Sequence, residues 1–262
     1  MEPNRTAPVR EPFRDDIVIG RNAVLELLAA GRPVECVFLQ KGLGGTLLKI
    51  AAIARQNGIV VKDAAPQKLD NLCAHGNHQG VVAVTASAAY AELDEIFARA
   101  DDSGEPLFVV IADEIEDPHN LGAIIRSAEG AGAHGVIIPK RRSAGLSFAV
   151  SKTSAGAVEH LPVCRVSNLA DTIEQLKKRG CWVYAADPAG KSWCEQDFSG
   201  SVALVVGSEG RGVGRLVRDR CDFLVSLPMR GRITSLNASV AAGIVLYEIA
   251  RQRLGCQSFS KG

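Results

Sequence analysis

The stretch LFVVIADEIEDPHNLGAIIRSAEGAGAHGVIIP, Leu107 to Pro139, decides the fold. It opens on an unbroken apolar run, which suits a strand covered on both faces. A turn crowded with Asp113, Glu114, Glu116, Asp117, Pro118 and His119 follows. From Asn120 onward, Leu121, Ile124, Ile125 and Ala128 recur at i, i+3, i+4 and i+7, the apolar stripe of a helix. GVIIP then reads as a second buried strand. Strands alternating with helices imply an α/β fold, with a parallel sheet covered on both faces and a ligand site at the strands' C-terminal ends.

Downstream the alternation continues. An irregular SAGLSFAVSKTSAG segment and the strand LPVCRV lead to the helix LADTIEQLKKRG and the strands CWVYAAD and VALVVG. A Gly-rich loop, the strand FLVSLP and the long helix NASVAAGIVLYEIARQR close the pattern. Upstream, IVIGRNAVLELLAAG reads as a helix, VECVFLQ as a strand, and TLLKIAAIARQNG as a helix ended by Gly58. IVVKD, PQKLDNLCAHG and GVVAVTA add strand, short helix and strand, completing a compact αβ unit. AYAELDEIFARADDSGEP reads as an acidic helix running into a turn-rich joint. The expected division is a mobile tail over 1–15, a first domain over 16–87, a linker over 88–105 and a second domain over 106–262.

Composition narrows the class. The chain has 262 residues, 47% hydrophobic and 23% charged, enough to bury a real core. No apolar run approaches a membrane span, and the polar, Arg- and Pro-rich start lacks the apolar core of a secretory signal. Seven cysteines without a CxxC pair argue against a disulfide scaffold or a zinc site, and no metal is expected. A reducing, cytoplasmic compartment follows. A net charge of +1 gives no global pull towards nucleic acid. Locally, Arg211, Arg215, Arg218, Arg220, Arg230 and Arg232 stand against only Asp219 and Asp222 within their own segment. Such a run is either a solvated surface or a phosphate-facing one.

Three segments could carry chemistry. GSEGRGVG, Gly207 to Gly214, follows a strand and is either a nucleotide cradle or a flexible turn; no Lys-Ser/Thr pair makes it a P-loop. Glu209 is an odd residue for a mere turn. A GxGxxG spacing occurs at Gly130, Gly132 and Gly135, but it closes a helix and opens a strand, the reverse of a dinucleotide fingerprint. Arg126 points away from the apolar stripe and is either a site residue or the ion-pair partner of Glu129. Asn120 is either a site residue or a helix cap. In LPMRGRITSLNAS, Ser235 or Asn237 could likewise cap the last helix. The bent loop before them offers free backbone groups to adenine or a carboxylate.

Taken in order, DPHNLGAIIRSAEGAGAHGVI, LVVGSEGRGVG and LPMRGRITSLNASVAAGIVLYE resemble the three motifs of the SpoU/TrmH family of RNA 2′-O-ribose methyltransferases. The likeness covers nearly all of 107–253. The first 87 residues, with IGRNAVLELL and NHQGVVA, are similar to the small ribosomal-protein-like substrate-binding domain of one branch. Enzymes of that branch methylate a guanosine in the peptidyl-transferase P loop of 23S rRNA. The resemblance implies a SPOUT domain with a deep trefoil knot, a homodimer packed through that domain, and S-adenosylmethionine as methyl donor. It also implies that Gly207, Leu227 and Leu236 hold the donor, with Ser208, Pro228 and Met229 close by. Asn120, Arg126, Glu209, Ser235 and Asn237 would form the catalytic set. Arg230-Gly231-Arg232 departs from the pattern, which has smaller or less charged neighbours around the glycine.

In the family proposal Arg126 is a base. A guanidinium keeps its proton far above neutral pH, so a clamp on phosphate and 2′-oxygen is the better reading. The alternatives are a tRNA 2′-O-methyltransferase of the same family, a non-catalytic RNA-binding protein of this fold, and a dinucleotide-dependent enzyme. The intact Arg126, Glu209 and Asn237 oppose the second, and the misplaced glycines oppose the third.

Overall fold

The computed structural model describes residues 16–42, 44–73, 75–86 and 88–255. The expected tail over 1–15 and Cys256 lie outside the described residues. Contacts divide the chain into two compact units, Met1–Ser87 and Ala88–Gly262.

The first unit runs β1 (Ile17–Ile19), α1 (Arg21–Ala29), β2 (Val34–Gln40), α2 (Thr46–Gln56), β3 (Val60–Ala64), α3 (Pro66–Leu72) and β4 (Val81–Thr85). Its sheet has the order β1-β4-β2-β3, antiparallel except for the β2–β3 pair. IVIGRNAVLELLAAG is therefore not helical throughout. Gly20 takes φ 89°, open to glycine at little cost, and this turn frees Ile17–Ile19 to pair with β4. Val24, Leu27 and Leu28 of α1 and Leu47, Ile50 and Ala54 of α2 bury one face of the sheet. Leu69 and Cys73 help bury the other, against Phe38, Val82 and Val84.

The second unit runs α4 (Leu93–Ser103), β5 (Phe108–Ala112), α5 (Pro118–Gly130), β6 (Gly135–Pro139), α6 (Phe148–Thr153), β7 (Val163–Val166) and α7 (Leu169–Lys178). It continues with β8 (Trp182–Ser192), β9 (Val202–Val206), α8 (Arg215–Arg218), β10 (Phe223–Ser226) and α9 (Ala238–Arg253). Its six strands are all parallel, in the order β10-β8-β9-β5-β6-β7. All five residues of β5 are buried, as its unbroken apolar run requires. Val109 and Ile111 lie in one core with Ile96 and Phe97 of α4 and Ile173 and Leu176 of α7. Phe108 and Val110 alternate to the opposite face of the sheet.

Two stretches differ from the sequence reading. Residues 88–105 are not merely a linker: α4 is held by a Glu92–Glu95 capping box, and Ile96, Phe97 and Ala100 are buried in the core of the second unit. Its acids are the solvent face of an amphipathic helix. The segment read as irregular contains α6, against which α5 packs so tightly that a Cβ on Gly122 would lie 2.7 Å from Thr153 Cβ.

Candidate functional site

Connectivity places the site. From β5 the chain passes through α5 to β6 and β7 on one side, then returns to β8, β9 and β10 on the other. The loops after β5 and β9 therefore diverge, and the crevice between them is the switch point where open α/β sheets bind ligands. Three loops open from strand C-terminal ends: 113–117 after β5, 207–214 after β9 and 227–237 after β10.

The loop after β5 uses most of its acids structurally. Asp117, not Asn120, caps α5, accepting the His119 N–H at 2.9 Å, with Pro118 at the first helical position. Asp113 is buried, and its carboxylate accepts the Gly214 N–H at 2.8 Å. Burial pushes this carboxyl above the usual range, while the Gly214 bond pulls it back and Glu114 adds to the rise. Glu114, with φ 54°, accepts from Arg142 at 2.9 Å and lies 4.0 Å from Arg211. Asp113 and Glu114 thus tie this turn to the glycine loop. Sequence reading noted the crowding of acids but gave neither residue a role.

Gly207–Gly214 is a folded cradle. Gly212 N–H bonds Ser208 O at 2.9 Å, and Gly210 and Gly212 take φ 81° and 68°. At Gly207 an added Cβ would lie 2.0 Å from the Gly212 carbonyl carbon and 2.1 Å from Val213 N. Backbone passes where a side chain would stand.

With the cap taken by Asp117, the nearly buried Asn120 amide is free for other bonds. Its Nδ2 donates to Glu209 Oε1 at 3.1 Å, and its Oδ1 accepts from Asn237 Nδ2 at 2.8 Å. Asn237 Nδ2 also donates to Glu209 Oε1. Asn237 caps α9 as well, its Oδ1 accepting from Ser239 N at 3.0 Å and Val240 N at 3.2 Å. Helix cap and member of the triangle are one side chain. The triangle joins α5, the loop after β9 and the cap of α9, and in it one carboxylate accepts from two amides. Bonds to a charged acceptor contribute about 1.5–3 kcal/mol each.

The other expected site residues stand apart from that triangle. Ser235 is exposed, and no hydrogen bond joins it to the triangle. Ser208, Leu227 and Pro228 are half-buried around the crevice, while Met229 and Leu236 are each 38% exposed. Among the described residues, no hydrogen bond within the chain engages 229–236, leaving that loop's backbone donors and acceptors available. Arg126 lies six residues beyond Asn120, about 9 Å along α5. It is exposed and makes no ion pair, with Glu129 or any other described residue. No three His, Cys, Asp or Glu side chains among the described residues could hold a metal ion.

The arginine run is less bare than its own segment suggests. Arg215 pairs with Asp219 at 3.9 Å, Arg218 with Asp187 at 2.7 Å and Arg220 with Glu174 at 3.0 Å. The partners Asp187, Glu174 and Glu114 come from distant parts of the chain. Exposed pairs contribute little stability, but they cancel local charge. Arg141, Arg230 and Arg232 have no acidic partner among the described residues.

Known proteins agree with this architecture. Residues 107–247 match the SpoU rRNA Methylase family, and residues 17–91 match the RNA 2′-O ribose methyltransferase substrate binding family. "Putative TrmH family tRNA/rRNA methyltransferase YacO" of Bacillus subtilis is 48% identical over 240 residues, 91% of this chain and 96% of its own. The SpoU methyltransferase AviRb from Streptomyces viridochromogenes, solved in complex with AdoMet, is similar in structure. Its TM-score is 0.59 at 28% identity, covering 92% of this chain and 91% of that one. An AdoMet-bound rRNA methyltransferase from Sinorhizobium meliloti gives a TM-score of 0.57 at 27% identity, covering 91% and 87%. With the first of these matches spanning more than half of its length, this chain belongs to the SpoU family of RNA methyltransferases.

Proposed function

We propose that this protein transfers a methyl group from S-adenosylmethionine to the ribose 2′-hydroxyl of a guanosine in the peptidyl-transferase P loop of 23S rRNA. It does so in the cytoplasm, as a homodimer. The observation that carries the reading is the Asn120–Glu209–Asn237 triangle at the switch point, beside a glycine cradle that excludes any side chain at Gly207. Residues 16–87 read the RNA and residues 106–262 perform the transfer, their C-terminal part knotted as in the family's fold.

The donor supplies an electrophilic methyl on a positive sulfur. Backbone groups of Gly207, Leu227 and Leu236 would hold it, with Ser208, Pro228 and Met229 alongside. The free backbone of 229–236 and the bare cradle suit the donor's flat adenine ring and its polar groups, which backbone N–H and C=O groups can bond. The protein's own task is to align a weak nucleophile and stabilise it as its proton leaves. Glu209 holds both amides, and Asn237 spends both amide hydrogens within the triangle. Asn120 keeps one N–H to orient a ribose oxygen, and Ser235 helps shape the loop around it. Arg126 clamps phosphate and 2′-oxygen, with proton loss to phosphate or water.

Arg126 stands off from its own triangle, which suits a site shared between subunits. Val240, Ile244 and Tyr247 form an exposed stripe on α9, at 50%, 37% and 57%. Their spacing puts all three on one face of the helix, the pattern of a buried contact with a second copy. An Ile244→Glu protein is expected to sediment as a folded monomer, with a melting point lowered by the loss of its partner. Symmetry removes two buried side chains at once, weakening the dimer by roughly 3 kcal/mol or more. A variant that stays dimeric at micromolar concentration counts against this interface.

The name of the Bacillus subtilis relative, which spans tRNA and rRNA, favours tRNA as the second reading. Mapping 2′-O-methyl sites in RNA from cells with and without the gene separates the two. Loss of one P-loop guanosine mark is expected; loss of a tRNA mark instead transfers the function to tRNA.

A further inference from the structure

The first unit holds an open, polar depression of about 420 Å³. Arg21, Gln40, Asp70, Asn77, His78 and Gln79 line it, and the transfer chemistry uses none of them. The loop that shapes it is strained: His75 and Gln79 take φ 61° and 50°, a region costly to residues with a Cβ. Neighbours hold the strain in place. Arg21 N donates to Gln79 Oε1 at 3.2 Å and Arg21 Nε to Gln79 O at 3.1 Å. His78 Nδ1 accepts the Gly80 N–H at 2.9 Å, so the ring proton sits on Nε2, 3.2 Å from Asp70 Oδ1.

Those bonds occupy both ring nitrogens of His78, Asp70 Oδ1 and the side-chain and main-chain oxygens of Gln79. The Asn77 and Gln40 carboxamides and the terminal nitrogens of Arg21 remain, with no partner among the described residues. A carboxamide presents a donor beside an acceptor and so matches the edge of a base, and a guanidinium can pair with a base or lie flat on it. Two amides and one cation, with the lone carboxylate already bonded to His78, suit a base better than a run of phosphates. In RNA such edges are open only where nucleotides are unpaired.

We infer that this pocket reads one unpaired nucleotide of the RNA substrate, with Asn77 and Gln40 on its edge and Arg21 pairing with it or stacking on it. The inference rests on the RNA reading above and names the residues that select sequence. The test is selection by the full-length protein from a pool of RNA hairpins with randomised loops. The wild type is expected to enrich one base roughly tenfold or more at one loop position. Asn77→Ala combined with Gln40→Ala should be flat at that position with an unchanged melting curve, since neither side chain has a partner to lose. Asn77→Asp, which exchanges a donor for an acceptor, should shift the preferred base. If both variants keep the wild-type preference while still retaining RNA, the pocket is not the reader and the RNA function stands. If the wild type retains no hairpin above the starting pool, the RNA reading itself falls, and the pocket assignment with it.

Discussion

An Arg126→Lys protein is expected to fold and bind S-adenosylmethionine normally, yet transfer methyl groups roughly a hundred- to a thousand-fold more slowly. The structural cost of the change is small. Arg126 is exposed and unpaired among the described residues, while the stripe that anchors α5, Leu121, Ile124, Ile125 and Ala128, is fully buried and untouched. Lysine keeps the charge but loses the planar fork that can bond phosphate and ribose oxygen together. One lost transition-state contact of this kind costs about 2.7–4 kcal/mol. An exposed charge with no clamping role would change matters by a few tenths of a kcal/mol. Single-turnover transfer to saturating RNA, with a melting curve for each protein, decides between them. Near-normal turnover in a folded, donor-bound Arg126→Lys protein would remove the clamp and leave the Asn120–Glu209–Asn237 triangle to account for catalysis.

Gly207→Ala is expected to abolish donor binding at concentrations that saturate the wild type. The new methyl would lie 2.0 Å from the Gly212 carbonyl carbon, and both neighbours are backbone, so no rotamer change relieves the clash. The loop must open. Doing so breaks the 2.9 Å Gly212–Ser208 bond and pulls against the 2.8 Å bond from Gly214 to the buried Asp113. Overpacking commonly costs 1–3 kcal/mol, and a lost bond to a buried carboxylate adds to that. The melting point should fall by several degrees, and S-adenosylmethionine should no longer raise it. A Gly207→Ala protein with a wild-type donor-induced shift would show that the cradle is only a turn.

Much of the fold is readable in the chain because it rests on short-range periodicity. The unbroken apolar run of β5 and the 3.6-residue stripe of α5 each announce burial on a known face, and the structure places both accordingly. Reading fails where two local patterns share a boundary. Ile17–Ile19 looks like the start of a helix until the positive φ of Gly20 divides strand from helix. The acids of 88–105 suggest a linker because a helix with one charged face and a small apolar face is mostly polar in composition. Its burial depends on the sheet that receives it.

The site divides in the same way. By itself, the sequence put forward Asn120, Arg126, Glu209, Ser235 and Asn237 as residues for chemistry, through three ordered motifs whose turns follow apolar runs. It also determined the parallel sheet that gathers such turns at one edge. Only the tertiary structure decided what Asn120, Glu209 and Asn237 bond to. It gave the helix cap to Asp117 and so released Asn120, and it let Asn237 cap α9 and join the triangle with the same side chain. It set Asp113 under the glycine loop and supplied Arg211, Arg218 and Arg220 with acids from far along the chain. The physical reason is range. Periodicity and turn chemistry, the two helix caps included, act over a few residues, whereas the bonds of the triangle span from 28 to 117 positions and exist only once the sheet order has brought strand ends together.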